Sequence, residues 1–342
     1  MAHTFIIAEA GVNHNGSLDL AKKLVDIAVV AGADAVKFQT FKAEHLVTKG
    51  LDRADYQKTN LGGGETQFEM LKRLELSQND FASLKEYCDR QKILFLSTPF
   101  DQESALFLVR EIGMTHVKIP SGELTNLPFL RFLASLKKPL ILSTGMADLQ
   151  EVRVAVRTLR QISEKIALTL LHCTTSYPCP EEEVNLQAMQ TLRETFSAPV
   201  GYSDHTLGWE IPVAAVALGA SVIEKHFTLD RQMKGPDHQA SLEPEELKSM
   251  IKSIRKIEIA LGSAEKRPTA SELRIREFGR RSLVTSKPLL AGSALQEIDL
   301  VARRAGVGIS PAERDRLIGR RLKVDKAEGE VIRWEDLREE HS

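Results

Sequence analysis

The chain has 342 residues, 42% of them hydrophobic and 27% charged, with a formal net charge of −1, proportions usual for a globular protein. That balance leaves no basic footprint for nucleic acid or an anionic membrane, so any phosphate binding must be local. No apolar run approaches the ~18 residues of a membrane span, and Cys88, Cys173 and Cys179 have neither metal-ligand spacing nor the even count of a disulfide framework; we expect a cytoplasmic protein with reduced thiols.

Taken in order, the chain alternates short apolar runs with helical periodicity. Thr4 to Ala8 reads as a buried strand cut off by Glu9, and Leu18 to Ala31 as a helix stopped by Gly32. Further strands are expected at Ala35 to Phe38, Ile93 to Leu96, Val117 to Ile119, Leu140 to Leu142, Ala167 to Leu171, Val200 to Tyr202 and Val222 to Ile223, with helical segments after the later ones. About eight β/α units predict a (β/α)8 TIM barrel over residues 1–262. The polar segment from Lys42 to Glu65, ending in Gly62-Gly63-Gly64, is too long for an ordinary connection and reads as a lid or as disorder. Residues 263–281 are charge-rich with one proline, which suits a solvated linker. Residues 282–338, short apolar pieces punctuated by glycines, suit a small, strand-poor domain.

In a barrel of this kind chemistry gathers where the strands end. Here the ends deliver Glu9; Lys37 and Gln39; Thr98; Lys118, Ser121 and Glu123; Ser143; Thr174, Thr175 and Tyr177; Ser203 and His205; and finally His226. His205 and His226 follow adjacent strands, close enough to share a divalent metal; the plainer alternative is two hydrogen-bonded imidazoles. Lys37 and Lys118 with the hydroxyls of Ser121 and Ser143 offer the donors a phosphate needs. A lysine inside an apolar strand is seldom a solvated charge, because burying an unpaired ammonium is costly. Glu9 could act as general acid or base, or pair with Lys37. His14 and His238 read as loop residues, and Phe68, Met70, Phe107 and Met146 as core or lid packing.

Ile7-Ala8-Glu9-Ala10-Gly11-Val12-Asn13-His14, Val36-Lys37-Phe38-Gln39-Thr40, Lys118-Ile119-Pro120-Ser121-Gly122-Glu123, Tyr202-Ser203-Asp204-His205-Thr206 and Glu224-Lys225-His226 resemble successive signatures of the bacterial sialic acid synthase family, and the C-terminal part resembles its antifreeze-like (SAF) domain. The resemblance implies condensation of phosphoenolpyruvate with an open-chain N-acylated mannosamine-type sugar. That sugar is N-acetylmannosamine, giving N-acetylneuraminate, or the 6-deoxy diacetamido sugar that gives legionaminic acid. It implies His205 and His226 as ligands of a divalent metal, manganese in the first place, with magnesium and cobalt as alternatives. Glu9 would handle the water added at C2. Lys37, Thr98, Lys118, Ser121, Ser143, Tyr177 and Ser203 would cradle phosphoenolpyruvate, with Gln39 also binding substrate. Glu123 and Asp237 would meet the sugar, as would Arg304, supplied across a domain-swapped homodimer. Ala305 departs from the family's proline after that arginine. Rival readings are a Schiff-base lyase acting through Lys118, separable by borohydride trapping, and a binding module made by the C-terminal domain alone, whose many arginines do not suit an ice-binding face.

Overall fold

The computed structural model describes residues 3–61 and 64–339. The chain divides after Gly262 into two compact units. In the first, eight parallel strands follow one another: β1 (Phe5–Gly11), β2 (Ala35–Thr40), β3 (Leu94–Pro99), β4 (Val117–Ile119), β5 (Leu140–Ser143), β6 (Leu168–His172), β7 (Val200–Asp204) and β8 (Val222–His226). Hydrogen-bonded neighbours run β3-β2-β1-β8-β7-β6-β5-β4, and β3 and β4 lie side by side where the ladder lapses. At that seam β4 spans only 3 residues before Pro120, and the Ser97 N–H donates to the Met114 sulfur at 3.2 Å. This is the expected (β/α)8 barrel. Ile6, Ala8, Val36, Phe38, Ile119, Leu142, Leu170 and Ile223 are buried in its core, as strands covered on both faces require.

The strands run further than their apolar residues suggest. β7 continues through Ser203 and Asp204, and β8 through Glu224, Lys225 and His226. Parallel pairing sets Ser203 against Glu224 and Asp204 against Lys225. Alternate residues face opposite ways along a strand. Lys225 and Asp204 therefore leave the site and pair with each other, fully buried, at 2.5 Å. The hydroxyls of Tyr202 and Thr206 donate to the same carboxylate.

The segment from Lys42 to Glu65 carries helices Ala43–Leu46 and Asp55–Leu61; Gly62 and Gly63 lie outside the described residues. Asn60 donates to the Pro236 carbonyl at 2.7 Å, so this segment reaches across to the loop after β8, as a lid does. Two further helices, Gln67–Leu74 and Gln78–Gln91, were not anticipated from periodicity, yet each opens with a reciprocal capping box, Thr66 with Glu69 and Ser77 with Asp80. His14 and His238 do lie in the loops after β1 and β8, but both are buried.

The second unit contains the antiparallel pair β9 (Ser282–Thr285) and β10 (Leu300–Arg303), around a core that includes Leu283, Leu295, Leu300, Leu317, Leu322 and Ile332. The linker is exposed throughout, but it is not irregular: helix Ala270–Gly279 occupies much of it, capped by Thr269. All three cysteines are buried free thiols. No helix among the described residues is long and apolar enough to cross a membrane.

Candidate active site at the barrel mouth

The carboxyl ends of the strands surround a cavity of about 410 Å³. At its base four buried ionisable groups form a chain. Lys37 Nζ lies 2.6 Å from Glu9 Oε2 and 3.6 Å from Glu224 Oε2, and Lys118 Nζ lies 3.6 Å from Glu224 Oε1. Hydroxyls fill the gaps: Lys37 donates to Thr98 at 3.0 Å, Lys118 to Ser143 at 2.7 Å, and Ser203 to Glu224 at 3.0 Å. Gln39 donates to the other Glu9 oxygen at 3.3 Å.

Opposed forces set the protonation of this chain. Burial drives Glu9 up to about 7 against the pull of Lys37. Burial also works against an ionised Glu224, but Lys118 and Lys37 together outweigh it and hold the carboxyl at about 2. Glu224 and Glu9 likewise overcome burial at Lys37 and keep its pKa above the usual lysine value, whereas burial pulls Lys118 below it. One carboxylate is thus fixed as an anion, while the other sits where it can take or give a proton near neutral pH.

Beside the charges stand the two histidines, with ring centroids 5.6 Å apart. His205 Nδ1 donates to the Thr174 carbonyl at 2.7 Å, which fixes the ring proton there and leaves Nε2 as the lone-pair nitrogen, the usual arrangement of an imidazole ligand. The same loop grips it again through the Cys179 N–H, which donates to the His205 carbonyl. His226 Nδ1 is buried without a hydrogen-bond partner. Burial lowers both pKa values, that of His226 well below the usual value with help from His205 and Lys37, so both rings are neutral. Tyr177 packs on His205 at a centroid distance of 4.1 Å and meets His226 edge-on. Two neutral imidazoles, one with an orphaned buried nitrogen, suit a metal ion whose other positions go to water or substrate. Among the described residues no third His, Cys, Asp or Glu joins them in a metal-holding group.

On the β4–β6 side, Ser121 hydrogen-bonds Cys173 Sγ at 3.1 Å and accepts from the Gly145 N–H at 3.0 Å. Asp237 lines the rim and is buried, which raises its pKa to about 6. One expected residue of the barrel is not brought to the cavity. Glu123 is half-buried, does not line it, and accepts from Asn126 at 2.7 Å. Arg304 is an exposed residue of the second unit. Met146 is not packed in a core: it is 70% exposed, at a φ of 59°, and borders the cavity. Glu224 is a site residue that the sequence analysis does not single out, although its place two residues before His226 in one strand puts both on the same face. Cys173, Gln57 and Gln67, which also line the cavity, sit in loops and lid helices that carry no such period.

This is a synthase-type barrel whose mouth gathers a carboxyl of raised pKa, two buried lysines and two neutral imidazoles. The chain matches the NeuB family over residues 24–266 and the SAF domain over residues 280–338, and it belongs to the NeuB family. It is 52% identical to an N,N'-diacetyllegionaminic acid synthase of Legionella pneumophila, covering 97% of this chain and 94% of that one. It is 48% identical to the protein of the same name from Campylobacter jejuni, over 97% of this chain and all of that one. A crystal structure of N-acetylneuraminic acid synthetase from Leptospira borgpetersenii, with citrate, superposes with a TM-score of 0.71 at 38% identity, covering 80% of this chain and 91% of that one.

The Asp237 carboxyl gives a pH test. Its folded pKa of about 6 lies above the ordinary carboxyl value of 3.8, so the folded state is favoured while the group is protonated and that advantage fades as pH rises through 6. Asp237→Asn should therefore gain stability over wild type between pH 4 and 6, levelling off above 6 at up to about 3 kcal/mol. Urea midpoints at pH 4 and pH 8 measure the difference; a pH-independent difference would show that Asp237 does not titrate this way.

Proposed function

We propose that the chain condenses phosphoenolpyruvate with 2,4-diacetamido-2,4,6-trideoxymannose to give N,N'-diacetyllegionaminate and phosphate. The observation that carries the chemistry is the convergence of Lys37, Lys118, Ser121, Ser143, Thr98 and Ser203 on one buried cavity beside Glu9 and two neutral histidines. The choice of sugar rests on the two relatives of that name, each matched over nearly the whole chain. Lys37 and Lys118 bind the phosphoenolpyruvate anion, and the hydroxyls orient its oxygens. Phosphoenolpyruvate C3 forms the new bond to the sugar's C1 aldehyde, water adds at C2, and the C2–O bond breaks to release phosphate. Glu9, with a pKa of about 7, takes a proton from that water. A divalent ion held by His205 and His226, manganese in the first place, supplies polarisation of the aldehyde when bound. Asp237 meets the sugar at the rim, and Arg304 completes that side from the partner subunit of a domain-swapped homodimer.

Phosphate release from phosphoenolpyruvate, measured with the 6-deoxy diacetamido sugar and with N-acetylmannosamine in parallel, decides the substrate. We expect a kcat/KM at least about tenfold higher with the former; the reverse order would make the chain an N-acetylneuraminate synthase.

His205→Ala and His226→Ala should each lose most bound manganese by elemental analysis and nearly all activity, while keeping the wild-type circular dichroism spectrum. Unchanged metal content in either variant would remove the two-imidazole site.

Arg304→Ala and Glu9→Gln, each inactive alone, should regain activity when mixed and allowed to exchange subunits, because some heterodimers then hold one site free of both lesions. Continued inactivity with exchange demonstrated by mass would place Arg304 outside a site completed by the partner.

A further inference from the structure

One side of the cavity is chemically unlike the rest. Val12, Met70, Leu71, Leu74 and Phe100 form a continuous apolar cluster that lines it. Met70, Leu74 and Val12 are almost fully buried behind, while Leu71 and Phe100 are half-buried. The catalytic scheme uses none of them.

The surface is built rather than incidental. Helix Gln67–Leu74, which carries three of the five residues, is closed at its start by the Thr66–Glu69 box. Just past its end Glu75 accepts the Ala43 N–H at 2.7 Å. Its last turn rests on the loop after β1 at Gly16, where a Cβ would lie 2.4 Å from the Arg73 carbonyl oxygen and where φ is +74°, so the helix seats closely because no side chain intervenes. Phe100 is held edge-on by Phe41 at a centroid distance of 6.1 Å.

We propose that this wall determines sugar selectivity: it receives the methyl-bearing end of the substrate, its 6-deoxy carbon and an N-acetyl methyl, and discriminates against a sugar with hydroxyls in those places. This rests on the substrate assigned above. A hydroxyl pressed on Leu71 and Phe100 loses its water against apolar carbon, whereas a methyl gains from the same contact. One methyl group in an apolar pocket is commonly worth about 10-fold or more in kcat/KM.

The test uses the full chain with manganese, phosphate release as the assay, and both sugars on wild type, Leu71→Gln and Leu71→Met. Leu71→Gln should lower kcat/KM for the 6-deoxy diacetamido sugar at least about tenfold while N-acetylmannosamine changes by less than about threefold. The KM for phosphoenolpyruvate should hold, and Leu71→Met should keep the wild-type ratio. An equal loss with both sugars, or an unchanged ratio in Leu71→Gln, overturns the selectivity role and leaves the wall as packing. Preference for N-acetylmannosamine in the wild type itself is a separate outcome: it overturns the substrate assignment, and the wall proposal with it, before any variant is compared.

Discussion

The molecule is organised around the buried sequence of charges Glu9, Lys37, Glu224, Lys118. Removing any one ionised group from water costs several kcal/mol, and the barrel meets that cost by alternating signs, so each interior charge has an opposite neighbour within 3.6 Å. Glu224 is the member without which the arrangement fails: it lies between both ammonium groups and holds them in the interior before any substrate arrives. Glu9 is the member left adjustable. Because Lys37 is shared between the two carboxylates, Glu9 can lose or keep its proton without stranding the lysine.

That chain is possible only because the strands are rigid and their register is fixed. Glu9 pairs in register with both Lys37 and His226, so the acid–base group, one lysine and one histidine stand on three neighbouring strands at the same level. The alternation that aims Ser203, Glu224 and His226 inward sends Asp204 and Lys225 the other way, where they make a closed pair of their own. Functional and structural ion pairs therefore share two short strands without competing. A slip of one residue would exchange them and destroy both.

This register explains which parts of the site could be read from the sequence. Polar residues directly after apolar runs announced the mouth of the barrel, and twelve of the fourteen expected site residues line the cavity. The runs were read too short because apolar character was taken as the limit of each strand, whereas β7 and β8 carry polar residues to their ends, where the site replaces the core. Glu224 is hidden for the same reason, since it lies past the apolar run Val222 to Ile223 but inside the strand that ends at His226. Met146, Leu71 and the amides of the lid lie on loops and short helices whose placement depends on tertiary packing, and no local period reports that. Helix Ala270–Gly279 was hidden by the surrounding charge, although Thr269 and Glu272 spell its cap.

The loops above the barrel are held by a second polar network that is kept uncharged. Asn13 donates to the Phe227 carbonyl and to Ser241, and Ser241 in turn donates to the Asp237 carbonyl. His238 hydrogen-bonds Thr228 at 2.6 Å and reaches Asn15, while Gly235 passes so close to its ring that a Cβ would lie 2.4 Å from Cδ2. Burial lowers the pKa of both His14 and His238 to about 4. As pH falls from 6.5 toward 4 the unfolded chain takes up protons that these folded rings refuse, so the network favours the fold most above that range. Its neutrality at pH 7 has a further consequence for the site. The rim residue Asp237 is positioned by dipoles rather than by a cation, so no fixed positive charge of the network competes for its carboxylate, and that carboxylate stays available to donors on an incoming sugar.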